Sequence, residues 1–305
     1  MIIKRIYIKD ILTYLGDQVL KVDGVRGYEK ESLYIDNLAD AANVNETTLD
    51  WINPIKENKQ WVAQSSKAHV ILVDESIEPV EGKILIHVCN PKTALAEIGN
   101  HFFTNEPVPG IHPTAIIHTE AKIGKNVHIG AYCVIGKATL GEGCVIDTNV
   151  RIYDGVVMGS HCVIKAGAVL GGAGFGYEHD ANGNMFRFPQ IGQLIMGDYV
   201  EVGANTCIDR GALSDTVIGD YTKINNLCHI AHNNVIGKNV SITGCVNVSG
   251  GNVIEDNVWV APNASLRGYI RLGKGCMLGL GAVATKDIPA GETWVGNPAR
   301  KLEKK

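Results

Sequence analysis

From residue 111 onward an aliphatic side chain returns at every sixth position. Ile111, Ile117, Ile123, Ile129 and Ile135 form a first run, Leu140, Ile146, Ile152, Met158, Ile164 and Leu170 a second, and Met196, Val202 and Ile208 a third. The longest run has eleven members: Ile218, Ile224, Ile230, Ile236, Ile242, Val248, Ile254, Val260, Leu266, Leu272 and Leu278. Many are followed by glycine or another small residue, as in "IGKNVH" and "IGAYCV". Six matches neither the 3.6-residue period of an α-helix nor the two-residue alternation of a hairpin sheet. It predicts a solenoid of short parallel strands and sharp corners, a parallel β-helix whose core is the aliphatic ladder. Three hexads close one coil, so His232 and Gly250 fall on neighbouring coils about one strand spacing, ~4.8 Å, apart.

Two breaks interrupt the ladder. Residues 171–195 form an insertion with turn signals at Ala181-Asn182-Gly183 and an aromatic cluster of Phe175, Tyr177, Phe186 and Phe188; "DRGALSD" (209–215) then slips the register by four residues. Insertions in solenoids emerge as loops, often on the binding face. Residues 1–105 lack the period. Their apolar runs "HVILVD" (69–74) and "KILIHV" (83–88) read as strands and "NPKTALAEIGNHF" (90–102) as a short helix with Asn and Pro at its start. This predicts a small α/β domain, 1–105, joined by the proline-rich "TNEPVPGIHP" (104–113) to a β-helix over 106–284. Residues 285–305 leave the ladder as a C-terminal tail.

Composition agrees with many strands and tight turns: 35 glycines against five phenylalanines, with 45% hydrophobic residues. A net charge of −4 with scattered basic residues gives no electrostatic footprint for nucleic acid. No stretch approaches the ~20 apolar residues that span a bilayer and no signal peptide is evident, so a cytoplasmic protein is expected. The eight cysteines form no C-x-x-C pair, and seven lie in the repeat where small apolar residues also occur. They are expected to be free thiols acting as small hydrophobes, with neither disulfides nor a metal site.

A β-helix has no internal cavity, so chemistry must lie outside it. The hexads resemble those of the hexapeptide-repeat acyltransferases, which implies a left-handed coil and a homotrimer with grooves between subunits. More specifically, "ANTCIDRGAL" (204–213) paired with "IAHN" (230–233), together with "GFGY" (174–177) and "PQIG" (189–192), resembles the UDP-3-O-acylglucosamine N-acyltransferases of lipid A synthesis. That family joins an amine to an activated acyl thioester. The resemblance implies His232 as general base and Gly250 as oxyanion donor; the coil spacing independently puts these two residues together. It also nominates Asn233, which orients the imidazole or binds substrate, and His229 as a second polar group in the groove. Asp209 and Arg210 either pair to fix their loop or touch substrate. Phe175 and Tyr177 either line the sugar or acyl site or pack their own loop.

Three departures bear on substrate. The family's uracil site has two aromatics flanking an asparagine; here "DWINPIKE" supplies Asp50, Asn53 and Lys56, with Trp51 one residue out of place. Where the family often carries a later histidine, this chain has Gly268-Tyr269. The family's C-terminal helical extension is absent, and "WVGNPARKL" (294–302) resembles the ending of acetyl-CoA-dependent sugar acetyltransferases, which nominates Lys286, Arg300 and Lys301 for the donor's phosphates. The expectation is therefore an N-acyltransferase acting on a nucleotide-linked amino sugar for cell-surface glycan synthesis, with acetyl-CoA as donor and no permanently bound cofactor. The alternatives are lipid A N-acylation with acyl carrier protein as partner, and, from another class, a non-catalytic scaffold.

Overall fold

A computed structural model describes residues 5–24, 33–105 and 107–303. The chain divides into two compact units, Met1–Glu106 and Pro107–Lys305.

In the first unit the strands Val70–Val73 and Ile84–Val88 run parallel at the centre of a four-stranded sheet, flanked by Leu49–Trp51 on one side and antiparallel Val19–Asp23 on the other. Every residue of the two central strands is buried, as expected for strands covered on both faces, where continuous apolar runs replace alternation. The helix Pro91–Ile98 begins where Asn90 accepts a hydrogen bond from the Thr93 N–H and Pro91 occupies the first turn, a position at which its missing donor costs nothing.

The second unit is a left-handed parallel β-helix. Three sheets form its walls, with eleven, nine and eight strands among the described residues, all parallel except the last strand of the first, Arg300–Lys301. Their registers place Ile230 beside Val248 and Val248 beside Leu266, coil upon coil. The rungs from Ile129 to Leu278 are buried in one continuous core. Ile111, in the first coil, is exposed, and Ile117 and Ile123 are only partly covered, because an end coil has a neighbour on one side only. The corners need a left-handed backbone at every sixth residue. Asn126, Asn149, Asn233, Asn239, Asn257 and Asn263 provide it, but so do Tyr132, Tyr199, Tyr221, Leu227 and Tyr269. Closing the coil outweighs the local penalty of about 1–2 kcal/mol, and stacking of Tyr199 on His161 and on Tyr221, with centroids 4.9 and 4.8 Å apart, offsets part of it.

Two expectations change. Cys133, Cys144, Cys162, Cys228 and Cys276 are buried free thiols, but Cys89, Cys207 and Cys245 are exposed. Cys207 points outward from its strand and Cys245 sits on a corner. The described part of the expected tail, residues 285–303, is not free: Ile288 and Trp294 are buried rungs, Thr293–Val295 continues one wall, and Arg300–Lys301 folds back antiparallel upon it. The last coil is thereby covered rather than left as an open edge.

Candidate active site

The β-helix has an ordinary corner, and it is best seen at Lys238. An inward side chain, Thr222, donates through Oγ1 to the Gly237 carbonyl at 2.8 Å. A trans peptide directs its carbonyl and its N–H in opposite directions, so the Lys238 N–H faces outward. There it meets Asp256 Oδ1 from the next coil at 2.8 Å. Ser160 N–H is capped likewise by Asp198, Ala204 N–H by Asn226 and Asp198 N–H by Asp220.

His232 and Gly250 occupy the same position at another corner, one coil apart, and the Gly251 N–H donates to the His232 carbonyl at 3.0 Å. The residue that would cap the Gly250 N–H is Gly268, which has no side chain. Among the described residues the Gly250 N–H therefore has no acceptor. The imidazole of His232 packs against Gly250 itself: a methyl group there would stand 2.8 Å from His232 Cε1 and 3.1 Å from Nε2. On the other side of the ring is Gly174, where a methyl group would meet His232 Cδ2 at 2.7 Å and Gln190 Oε1 at 3.1 Å. Glycine at both positions is what lets two pieces of backbone flank the ring.

The ring's tautomer follows from its partner. Asn233 Oδ1 lies 2.8 Å from His232 Nδ1 and also accepts from the Ala212 N–H at 3.1 Å, while Asn233 Nδ2 donates to the Ser214 carbonyl and hydroxyl, each at 2.8 Å. These partners fix which end of the amide is oxygen. His232 therefore donates from Nδ1, and in the neutral ring Nε2, which has no hydrogen-bond partner among the described residues, keeps its lone pair free. The register slip of 209–215 supplies the two residues that hold Asn233.

His229, on the strand entering this corner, pairs with Asp209 (Nε2 to Oδ2, 3.2 Å). The hydrogen bond to that carboxylate raises the His229 pKa above the usual value, against the desolvation that lowers it. Asp209 and Arg210 do not pair as the sequence suggested, because the Arg210 guanidinium donates instead to the Gly192 carbonyl at 2.7 Å. Phe175 and Tyr177 pack edge-to-face at 5.0 Å and both remain exposed. Tyr269 roofs the next coil, its ring where a Gly251 methyl would be, 2.6 Å from Cδ1 and Cε1. With Arg267, Gly268 and Lys286 it lines an open cavity of 710 Å³.

Arg300 and Lys301 lie elsewhere. Lys301 pairs with Glu292 at 2.8 Å and Arg300 bonds the Ala299 carbonyl, so both serve the end cap. In the first unit Trp51 and Lys56 line a cleft of 240 Å³ with Asp50. Asn53 Oδ1 is engaged by the Ile55 N–H in a local turn, and Asp50 by Ser66 and the Trp51 N–H. Site residues without a sequence assignment are Gly174, Gln190, Ala212, Ser214, Asn234 and Asn252. The first four lie in or beside quoted motifs; the two asparagines resembled ordinary corner residues.

Comparison with known proteins adds a second, independent line. The family model described as bacterial transferase hexapeptide (six repeats) matches residues 137–172. A UDP-3-O-acylglucosamine N-acyltransferase of Francisella tularensis subsp. holarctica is 37% identical, covering 87% of this chain and 82% of the relative. One from Coxiella burnetii is 33% identical over 86% and 82%. Among solved structures, a UDP-N-acetylglucosamine O-acyltransferase of Moraxella catarrhalis superposes with a TM-score of 0.58 at 27% identity, covering 63% of this chain and 73% of that one. With relatives of this identity spanning both of its units, the chain is an acyltransferase and belongs to the UDP-3-O-acylglucosamine N-acyltransferase family.

Proposed function

We propose that this protein N-acylates the glucosamine amine of a UDP-3-O-acylglucosamine, taking the acyl group from a thioester on acyl carrier protein in lipid A synthesis. The observation that carries the chemistry is the pairing of an imidazole whose Nε2 lone pair is free with the uncapped N–H of the glycine against which the ring packs. The amine attacks the thioester carbonyl and gives its proton to His232 Nε2. As the N–C bond forms, negative charge gathers on the carbonyl oxygen, where the Gly250 N–H stabilises it without reorganising. Collapse breaks the C–S bond, and the proton passes from His232 to the thiolate. Asn233 holds the ring in the tautomer this requires.

The relatives favour this acceptor over the acetyl-CoA reading. Their similarity runs through both units, and two of the basic residues nominated for coenzyme A phosphates, Arg300 and Lys301, are occupied in the end cap. Lys286 and Arg267, in the cavity beyond Tyr269, suit the phosphate of a phosphopantetheine arm. In the first unit the cleft with Trp51 suits a base stacked on one aromatic ring. The assembly is a homotrimer: an outward aliphatic row of Val157, Ile195, Val217, Val235 and Val253 runs along one wall, and a neighbouring copy covers it.

The test supplies UDP-3-O-acylglucosamine with acyl carrier protein thioesters, and separately with acetyl-CoA and longer acyl-CoAs. Turnover with the carrier-protein thioester and a loss on the order of 100-fold or more in His232→Ala are expected. Activity only with acetyl-CoA and a different amino sugar would overturn the substrate assignment, and an active His232→Ala the mechanism.

A further inference from the structure

An oxyanion donor must be aimed as well as free. The Gly250 N–H belongs to the Ser249–Gly250 peptide, so its direction is set by wherever the Ser249 carbonyl points. That carbonyl is held inward by two amides. Asn234 Nδ2 donates to it at 3.1 Å and Asn252 Nδ2 at 2.6 Å. Both asparagines are fully buried, at 0% exposure, among the aliphatic rungs.

They form a ladder in which every polar atom is used. Asn234 Nδ2 also donates to the Ala231 carbonyl at 2.6 Å, Asn234 Oδ1 accepts from the Asn252 N–H at 3.0 Å, and Asn252 Oδ1 accepts from the Ile270 N–H at 2.9 Å. The Ala231 bond does for the His232 peptide what the others do for Gly250, drawing the carbonyl in and turning the N–H out. Elsewhere the same inward position is filled by a side chain with a single donor, as where Thr222 reaches the Gly237 carbonyl at 2.8 Å and Cys144 Sγ the Gly159 carbonyl at 3.1 Å, or by one with none, as at Val240 and Val258. A primary amide in an aliphatic core is costly to desolvate and is tolerated only when satisfied in full. Here two are stacked where the peptides of the reacting corner lie.

We propose that Asn234 and Asn252 are positioning residues that aim the Gly250 N–H at the developing oxyanion, through the Ser249 carbonyl and without touching substrate. The proposal rests on the reading of Gly250 as oxyanion donor. It explains why this corner is built with paired asparagines where the others carry threonine, cysteine or an apolar residue such as Val240 or Val258. A small rotation of the 249–250 peptide moves the donor off line, and a misaimed donor loses transition-state stabilisation while substrate binding is preserved.

The experiment compares Asn234→Val with Asn234→Thr, whose hydroxyl would meet the carbonyl fifteen residues on, that of Ser249, as Thr222 meets that of Gly237. Thr222→Val removes the same kind of bond at the Gly237 carbonyl, away from the site, and serves as the control for lost stability. Asn234→Val should lower kcat roughly 10-fold, a fraction of what losing an oxyanion donor outright costs, with KM for both substrates unchanged. Asn234→Thr should recover most of kcat, and Thr222→Val should lose thermal stability with kcat intact. If Asn234→Val fails to fold, Asn252→Val, which removes the other amide from the Ser249 carbonyl, is compared with Thr222→Val. Equal kcat in the valine and threonine variants, or an equal loss in Thr222→Val, would overturn the proposal. Gly268→Asn, which caps the Gly250 N–H, tests the underlying reading separately: full activity there sinks the oxyanion assignment, whereas loss there with normal Asn234→Val sinks only the ladder.

Discussion

The corners at Lys238 and at Gly250 follow the same backbone path and differ in what closes the outward N–H. At the first, Asp256 closes the outward N–H; at the second, the equivalent residue is Gly268 and the N–H stays open. The repeat satisfies this outward donor with a side chain at several corners and leaves it open at others, and what sets the Gly250 corner apart is the His232 ring packed against the glycine that carries the open N–H. The site thus arises by omission: the β-helix needs no new element to create a donor, only the loss of a cap.

The comparison can be broken most severely by restoring the cap. Gly268→Asn should place an amide oxygen on the Gly250 N–H, as Asn226 does for Ala204 at 2.7 Å. Removing one oxyanion donor costs on the order of 100-fold to 1,000-fold in kcat, and that loss is expected with the β-sheet circular dichroism unchanged. The new Cβ would lie 2.9 Å from the Gly250 carbonyl oxygen, so the corner must give by a few tenths of an ångström. An inactive but unfolded variant would be recognised by its spectrum. Unaltered kcat in a folded one would mean the open N–H plays no part.

The converse substitution should do far less. Asp256→Ala uncaps Lys238 at an exposed corner where water replaces the carboxylate. A net cost of about 1 kcal/mol is expected, which lowers the melting temperature by about 2–4 °C in a unit of this size and leaves kcat alone. A loss of activity in Asp256→Ala would erase the distinction between the two corners.

The distinction was only half legible in the sequence. The six-residue period announced the β-helix because each coil repeats one packing problem, and the coil ruler brought Gly250 to His232. What could not be read were interactions that carry no period. Asn234 and Asn252 look like corner asparagines, yet they point inward, and polarity alone argues against that. Gly268 attracted attention for the tyrosine after it, although its role lies in the side chain it lacks. Ile288 and Trp294 fell outside the six-residue spacing, so a buried final coil read as a tail. The Asp209–Arg210 pair, one of two readings the sequence left open, is not made: Asp209 closes its strand and meets His229 on the next coil, while Arg210 lies beyond the strand and turns to the Gly192 carbonyl.

The two histidines of this corner sharpen the comparison at smaller scale. His229 has a carboxylate partner and His232 an amide. A carboxylate favours the imidazolium, and the hydrogen bond to Asp209 raises the His229 pKa. An amide oxygen carries no net charge, and at His232 it serves to orient the ring. For His229 the folded pKa lies above the unfolded value, so its pairing adds stability that is fully present below the unfolded pKa of about 6.5 and is lost as pH rises through the folded one. Asp209→Asn should lower the His229 midpoint, followed by the proton resonances of its ring, and flatten the pH dependence of the melting temperature over that window. The pair is half-exposed, so the change in melting temperature should be the smallest of those described. Should Asp209→Asn instead raise KM for the acceptor at constant melting temperature, the pair faces substrate, and the groove extends from the His232 corner along the strand that enters it.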